Sequence, residues 1–320
     1  MNNLFTKFKE IIANNKSFAI ISHLSPDGDN LGSIKSLYLY LKNLNKEVYP
    51  ILFDKIPSNL KFITNDIPFT SNDKLIVDVL IAVDCGDKKR LGNIEYIYDN
   101  SKEIIKIDHH ISGENYGTLN IIDPQISSTC ELISKLFLDL NIEITPEIST
   151  SLLLGILTDT GRFLYERATE DTFQMAAKLI ENGAEKDLLM KKLFQSNKLN
   201  ALNAINKINN NAKFYYDNHL VITSVTNDFL NDYNLEVSDV ETAINYYRDA
   251  EEVEVSCMLK EKENNKFKIS FRSKNYVDVN LIANYFNGGG HKFASGCIIN
   301  GDLKEVEEKI VERFKTINWQ

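Results

Sequence analysis

Four short stretches of this chain collect the residue types that hold metal ions and handle protons. ISHLSPDGDN (21–30) contributes His23, Asp27 and Asp29. VDCGD (83–87) contributes Asp84, IDHH (107–110) contributes Asp108, His109 and His110, and GILTDTGRF (155–163) contributes Asp159. Taken singly, a Pro-Asp-Gly sequence forms turns, and an aspartate after a strand is an ordinary helix cap. Position sets these residues apart, because each group closes an apolar run. Carboxylates converging from all four stretches on one cleft would repel one another strongly with nothing cationic between them. Two divalent cations would remove that repulsion and give each carboxylate a partner.

The elements that must position these residues can be read from the apolar runs. FAIISH (18–23), EVYPILF (47–53), VDVLIAVDCGD (77–87) and KEIIKIDHH (102–110) read as buried strands, and NLGSIKSLYLYLKNL (30–44) as a helix between the first two. Short apolar runs alternating with helical patterns predict an α/β fold, a parallel sheet with helices on both faces. In open parallel sheets ligands bind beyond the carboxyl ends of the strands, which is where the candidate residues fall.

Past residue 125 the pattern is helical: SSTCELISKLFLDL (127–140), TPEISTSLLLGILTDTG (145–161) and TEDTFQMAAKLIENG (169–183) carry helical spacing and polar start signals. Residues 191–212 read as one connecting helix. From 213 to 320 a smaller α+β domain is expected. Its strands are HLVITSVT, VEVSCMLKE and KFKISFRSK, with a polar hairpin at KENN (262–265), and its helices VSDVETAINYYRD and DLKEVEEKIVERFKTI. The domains are therefore read as 1–190, a helical connector 191–212, and 213–320. Within the last, SFRSK ends a strand with Arg272 and Ser273, donors suited to a phosphate. GGGH places Gly288, Gly289 and Gly290 before His291, and glycines let the backbone approach a ligand closely.

Composition narrows the function classes. At 320 residues with 43% hydrophobic and 25% charged residues the chain reads as an ordinary soluble protein with room for two domains. A net charge of −9 argues against coating long nucleic acid by bulk electrostatics. Any polyanionic substrate must meet positive charge delivered locally. The four cysteines form no CxxC pair, which points away from disulfides or a zinc finger and toward the cytoplasm. The N-terminal stretch reads as an amphipathic helix and not a signal peptide, and no apolar run is long enough to span a bilayer.

The ordered set HLSPDGDNLGS, VDCGD, DHH, TDTGRF and GGGHKFASG resembles the DHH phosphoesterases that carry a DHH-associated C-terminal domain, over nearly the whole chain. The subgroup it most resembles is the NrnA-type nanoRNases, which degrade very short RNAs and dephosphorylate adenosine 3′,5′-bisphosphate (pAp). The resemblance implies two Mn²⁺ ions per chain. A thiolate-free Asp/His shell suits them, with Mg²⁺ or Co²⁺ as substitutes. His23 and Asp27 would hold one ion, Asp29, His109 and Asp159 the other, and Asp84 would bridge both. Asp108 would orient a histidine, and His110 would face the scissile phosphate as donor or acid. Such a pair of ions lowers the pKa of a bridging water and clamps both oxygens of an in-line displacement. The resemblance also implies that Arg272, Ser273 and the GGGH segment bind the substrate end distal to the metals. Arg162, just after Asp159, is a further candidate phosphate contact.

The expected substrates are RNAs of 2–5 nucleotides, cleaved to nucleoside 5′-monophosphates, together with pAp. The alternative within the same layout is a soluble phosphodiesterase of cyclic di-AMP, pApA or pGpG. No membrane and no long nucleic acid is expected as a partner, and a homodimer is allowed. Leu24 and Ser25 depart from the family's motif only in its variable spacer.

Overall fold

The computed structural model describes residues 1–110, 113–263 and 265–319. Two compact units emerge, 1–196 and 197–320. The segment expected as a single connecting helix is divided between them. Its first part ends the helix Lys186–Phe194, and Leu199–Asn210 is a separate helix of the second unit. Ser196 and Asn197 fall in the non-helical stretch between, and the second helix buries Ala204 and Ile208 in its own unit's core.

The first unit is a five-stranded parallel sheet in the order β2-β1-β3-β4-β5, with β1 Ser17–Ile21, β2 Glu47–Pro50, β3 Val79–Val83, β4 Glu103–Asp108 and β5 Leu119–Ile122. β5 adds to the four strands read from sequence. It pairs Leu119 to Ile122 with Ile105 to Asp108 of β4. The helices are α1 Asn2–Asn14, α2 Gly28–Asn43, α3 Lys61–Thr64, α4 Glu95–Asn100, α5 Thr129–Asp139, α6 Pro146–Asp159, α7 Glu170–Glu181 and α8 Lys186–Phe194.

Strand residues alternate between two cores, as a period of two requires. Phe18, Ile20, Val79, Ile81, Ile105 and Ile107 face α1, α2, α5 and α6. Ala19, Ile21, Leu80 and Ala82 face Leu91, Ile94 and Ile97, the last on α4. Both faces are covered, so β3 is buried along its whole length.

The strand order reverses between β1 and β3, the point where the chain leaving β1 runs to β2 on one side and the chain leaving β3 runs to β4 on the other. Doubly wound sheets of this order open their ligand crevice there. α2, α5 and α6 approach one another closely at two glycines. A Cβ on Gly28 would stand 2.3 Å from Thr158 Oγ1, and one on Gly155 would stand 2.2 Å from Cys130 Sγ and 2.5 Å from Asp29 Oδ1. Glycine at both positions lets the ends of α2, α5 and α6 converge.

The second unit contains α9 Leu199–Asn210, α10 Asn227–Asp232, α11 Val237–Val240, α12 Ala243–Arg248, α13 Val279–Tyr285 and α14 Leu303–Phe314. Its six-stranded sheet runs β10-β11-β9-β8-β7-β6, with β6 Lys213–Tyr215, β7 Leu220–Val225, β8 Val255–Glu263, β9 Lys266–Ser273, β10 Gly289–His291 and β11 Ala294–Asn300. Among the described residues of this sheet β7–β8 is parallel and the other pairs are antiparallel. The turn read at KENN includes Asn264, which lies outside the described residues. One face packs on α13 and α14 through Ile269, Phe271, Ile282 and Ile310. The other packs on α9 to α12 chiefly at the β7–β8 end, through Val225 and Met258, with α12 also reaching β9. The β9–β11 part of that face is only partly covered. Among the described residues no helix is long and apolar enough to cross a membrane, and the four cysteines are buried and free of disulfides.

Candidate active site

Three of the four sequence stretches leave the sheet side by side, from the carboxyl ends of β1, β3 and β4, and Asp159 arrives as the last residue of α6. His23 Nε2 lies 3.4 Å from Asp84 Oδ2 and 3.7 Å from Asp27 Oδ2. His109 Nε2 lies 3.6 Å from Asp84 Oδ1, 3.3 Å from Asp159 Oδ2 and 4.0 Å from Asp29 Oδ2. The structure thus brings together a His23–Asp27–Asp84 group and an Asp29–His109–Asp159 group, each with its ligand atoms within 4.8 Å of one another. Asp84 turns one oxygen to His23 and the other to His109.

Each side chain is fixed from behind. His23 Nδ1 stands 2.8 Å from the Leu24 carbonyl, which can only accept, so Nδ1 carries the proton and Nε2 faces the carboxylates. Asp27 caps α2 by accepting from Asn30 N, leaving its other oxygen for the cluster. Asp29 accepts the N–H groups of Thr129 at 2.7 Å and Cys130 at 2.8 Å, the first turn of α5, where the helix dipole favours an anion. Asp84 sits in the left-handed region at φ +53°, sparsely populated by non-glycine residues, where it is steadied by Thr129 Oγ1 at 3.2 Å.

Asp108 does not join these two groups. Its Oδ1 accepts from His110 Nδ1 at 2.7 Å and its Oδ2 lies 3.1 Å from Lys106 Nζ. Lys106 is buried in β4 and also donates to the Gly86 and Glu114 carbonyls. Its signal in the sequence is a lone lysine inside the apolar run EIIKID, two residues before Asp108 and hence on the same side of the strand. His110 Nδ1 is 3.8 Å from Asp84 Oδ1, so its ring borders the cluster.

The electrostatics show what the fold leaves unbalanced. Burial, together with the charges of Asp84 and other nearby carboxylates, pushes Asp29 and Asp159 well above the usual carboxylate range. Burial opposes an imidazolium at His23, yet Asp27 and Asp84 outweigh it and raise the pKa to about 11. His23 holds the exposed Asp27 carboxyl at about 2, and at Asp108 burial opposes ionisation but His110 with Lys106 holds it at about 2. At His110 burial is outweighed by Asp108 and Asp84, and the pKa rises. His109 is lowered by burial.

Protein side chains alone therefore stabilise the cluster only by protonating part of it. The donor set of carboxylate and imidazole suits hard divalent cations. The adjacent thiols do not compete, since burial pushes Cys85 up to about 12 and Cys130 well above its ordinary value. The residues fit a cation site.

Among the sequence candidates, Arg162 stacks its guanidinium over the Phe194 ring, 4.9 Å from the centroid. A cation absent from the sequence reading lies nearer: Arg167, in the loop after α6, places Nη1 3.4 Å from His109 Nδ1 and donates from Nη2 to the Pro124 carbonyl.

In the second unit, His291 of β10 and Arg272 of β9 both pair with Ala294 of β11. Directly opposed residues share a face, so Arg272, Ala294 and His291 form one row on the partly covered face. Alternation puts Ser270 and Lys268 on that face too. Arg272 Nη1 donates to the Phe271 carbonyl. Ser273 is buried and serves the fold, pairing its N–H with Phe293 O. The glycines divide: a Cβ on Gly288 would meet Gly296 O at 2.2 Å, and Gly290 holds φ +147°, so both serve the β10–β11 pairing. Gly289 alone is open, with its nearest neighbour 3.7 Å away.

A cluster of carboxylates and imidazoles at the strand ends of the first unit, in a chain with a second α+β unit, matches a hydrolase of phosphoester bonds. Residues 17–156 match the DHH family N-terminal domain and residues 217–319 the DHHA1 domain. The chain belongs to this DHH–DHHA1 phosphoesterase family. It is 29% identical to the bifunctional oligoribonuclease and PAP phosphatase NrnA of Thermus thermophilus, over 92% of this chain and 88% of that one. An exopolyphosphatase-related protein from Bacteroides fragilis superposes with a TM-score of 0.91 at 28% identity, covering 98% and 97% of the two chains. The exonuclease RecJ bound to manganese shares the fold at a TM-score of 0.53 and 15% identity, over 99% and 94%.

Proposed function

We propose that the chain hydrolyses RNAs of about two to five nucleotides to nucleoside 5′-monophosphates and dephosphorylates pAp, as a cytoplasmic enzyme using two Mn²⁺ ions. The observation that carries the reading is the placement of Asp84, which turns one oxygen to His23 of the first ligand group and the other to His109 of the second. The relationship to an oligoribonuclease and PAP phosphatase over nearly the whole of both chains supports the substrate class.

His23 and Asp27 would hold one ion, Asp29, His109 and Asp159 the second, with Asp84 between them. When bound, the ions supply a nucleophile from water at neutral pH and neutralise charge on the phosphate. The remaining work falls to the protein. His110 is held by Asp108 at Nδ1, and its Nε2 would serve the substrate. Asp108 favours the protonated form of this ring, which could then donate to the leaving oxygen. Lys106 locks Asp108 so that this ring cannot swing away. Arg272 and His291 contribute contacts to the part of the substrate that does not react. A chain of net charge −9 with no basic tract holds few nucleotides beyond these contacts.

The test is kcat/KM with Mn²⁺ across dinucleotide RNA, pAp, pApA, a cyclic dinucleotide and a single-stranded RNA of about 24 nucleotides. The proposal requires the dinucleotide and pAp to lead and the long strand to trail. A flat or rising dependence on length would end it.

A further inference from the structure

We infer that Arg167 binds the substrate phosphate, and that the same guanidinium opposes cation binding at the adjoining site. This rests on the phosphoesterase reading above and assigns a residue to it. The loop that carries Arg167 leaves α6 at Asp159 and passes three left-handed residues, Gly161, Arg162 and Phe163, before returning to the cluster. Its anchor is the Pro124 carbonyl, 3.2 Å from Nη2, on the segment between β5 and α5. That bond fixes one edge of the guanidinium. Nη1 points at the imidazole of His109, 3.4 Å from Nδ1.

The contact with His109 is chemically conditional. A guanidinium has five N–H donors and no acceptor, so it bonds Nδ1 only when that nitrogen bears no proton. An imidazole that ligates through Nε2 keeps its proton on Nδ1, and two donors then face each other. His109 directs Nε2 at Asp29, Asp84 and Asp159, so ligation through Nε2 takes away the acceptor that Arg167 uses in this structure. The Pro124 bond is unaffected and keeps the cation beside the cluster. Its released N–H groups then need an oxygen acceptor there, and a phosphate supplies one in the planar geometry that arginine matches best. A positive charge next to a cation site also repels the cation, so Arg167 weakens metal binding while it strengthens anion binding.

These two effects have opposite signs, which separates them from loss of structure. Three proteins are compared: the parent chain, Arg167→Gln and Arg167→Lys. Mn²⁺ affinity is measured by electron paramagnetic resonance, and inorganic phosphate affinity by calorimetry on the Mn²⁺-loaded protein. Arg167→Gln should bind Mn²⁺ at least about threefold more tightly and phosphate about tenfold or more weakly. Arg167→Lys should return Mn²⁺ affinity to the parent value and recover phosphate only in part, because lysine keeps the charge without the fork. Unchanged phosphate affinity in Arg167→Gln overturns the assignment, as does parallel weakening of both ligands. Phosphate carries neither base nor sugar, so the result stands apart from whether short RNA is the substrate. Failure of all three proteins to bind Mn²⁺ would instead overturn the cation site.

Discussion

The candidate site residues of the two units handle charge in contrasting ways. In the first, Asp29, Asp84, Asp108, His109 and Lys106 are buried, and most are fixed by a second contact from an element other than their own. In the second, Arg272 and His291 lie half-exposed on a sheet face, aligned by strand register. The difference follows from the task each reading assigns. Charges that must converge within a few ångströms need low mobility and exclusion of water, at the cost of strong mutual repulsion. Groups that meet the unreacting part of a flexible substrate gain more from reach than from rigidity. Loss of a buried ligand should therefore abolish the chemistry, and loss of an open-face residue should weaken binding only.

The sharpest test of that contrast is Asp84→Ala. Activity should fall by about 1,000-fold or more, the equivalent of about 4 kcal/mol in the barrier. Bound Mn²⁺ should fall with it while circular dichroism stays native. Wild-type-like turnover in the purified variant would refute the shared-ligand reading.

Separating the units is the next test. Residues 1–196 contain every proposed ligand and a complete core, and should still bind Mn²⁺. Remote binding energy supports turnover as well as affinity, so kcat/KM for a dinucleotide should drop by at least about 100-fold. Native kcat/KM in this fragment would show that the second unit contributes nothing to the substrate.

Single changes on the open face should do less. Arg272→Ala and His291→Ala should each raise KM for a dinucleotide by about tenfold, the loss of one charge-assisted hydrogen bond. Metal content and Tm should not move. A variant that loses Mn²⁺ would place its residue with the buried ligands instead.

The smallest effect is a pH dependence. In the metal-free protein Asp29 and Asp159 have raised pKa values and His23 is raised to about 11. The folded state then binds more protons than the unfolded state above the ordinary carboxylate range. For the carboxyls, this stabilisation is present at low pH and lost as pH rises toward their folded pKa values. For His23 it is fully present below about 6.5 and lost as pH rises through about 11. Cations replace those protons, so Mn²⁺ should raise Tm more at about pH 8 than at about pH 6, with proton release detectable in weakly buffered solution. A Tm gain that is constant or shrinks with pH would contradict the electrostatic account.

The candidate ligands were legible because polar residues that close apolar runs are conspicuous, and because the ends of parallel strands lie together in any sheet of this class. Their ordered motifs carried the family as well. β5 was not legible, since LNII is four residues long and becomes a strand only by pairing with β4. The helix read over 191–212 has helical composition on either side of a break at Ser196–Asn197. That break is decided by which core each half can bury.

By itself, the chain determined the chemistry available: which carboxylates and imidazoles exist, that no thiolate pair accompanies them, and that positive charge must be local. Only the tertiary structure decided who stands behind them. Thr129 reaches Asp84 because α5 begins beside β3, Lys106 reaches Asp108 because β4 is buried on both faces, and Arg167 reaches His109 because the loop after α6 turns back on the Pro124 carbonyl. The same holds for the glycines of GGGH, two of which serve a strand pairing and one of which stays open. The physical reason is a common one. Apart from Lys106 and Asp108, which share β4, these contacts join residues on separate elements, and the close packing that aims one side chain at another exists only after those elements have met.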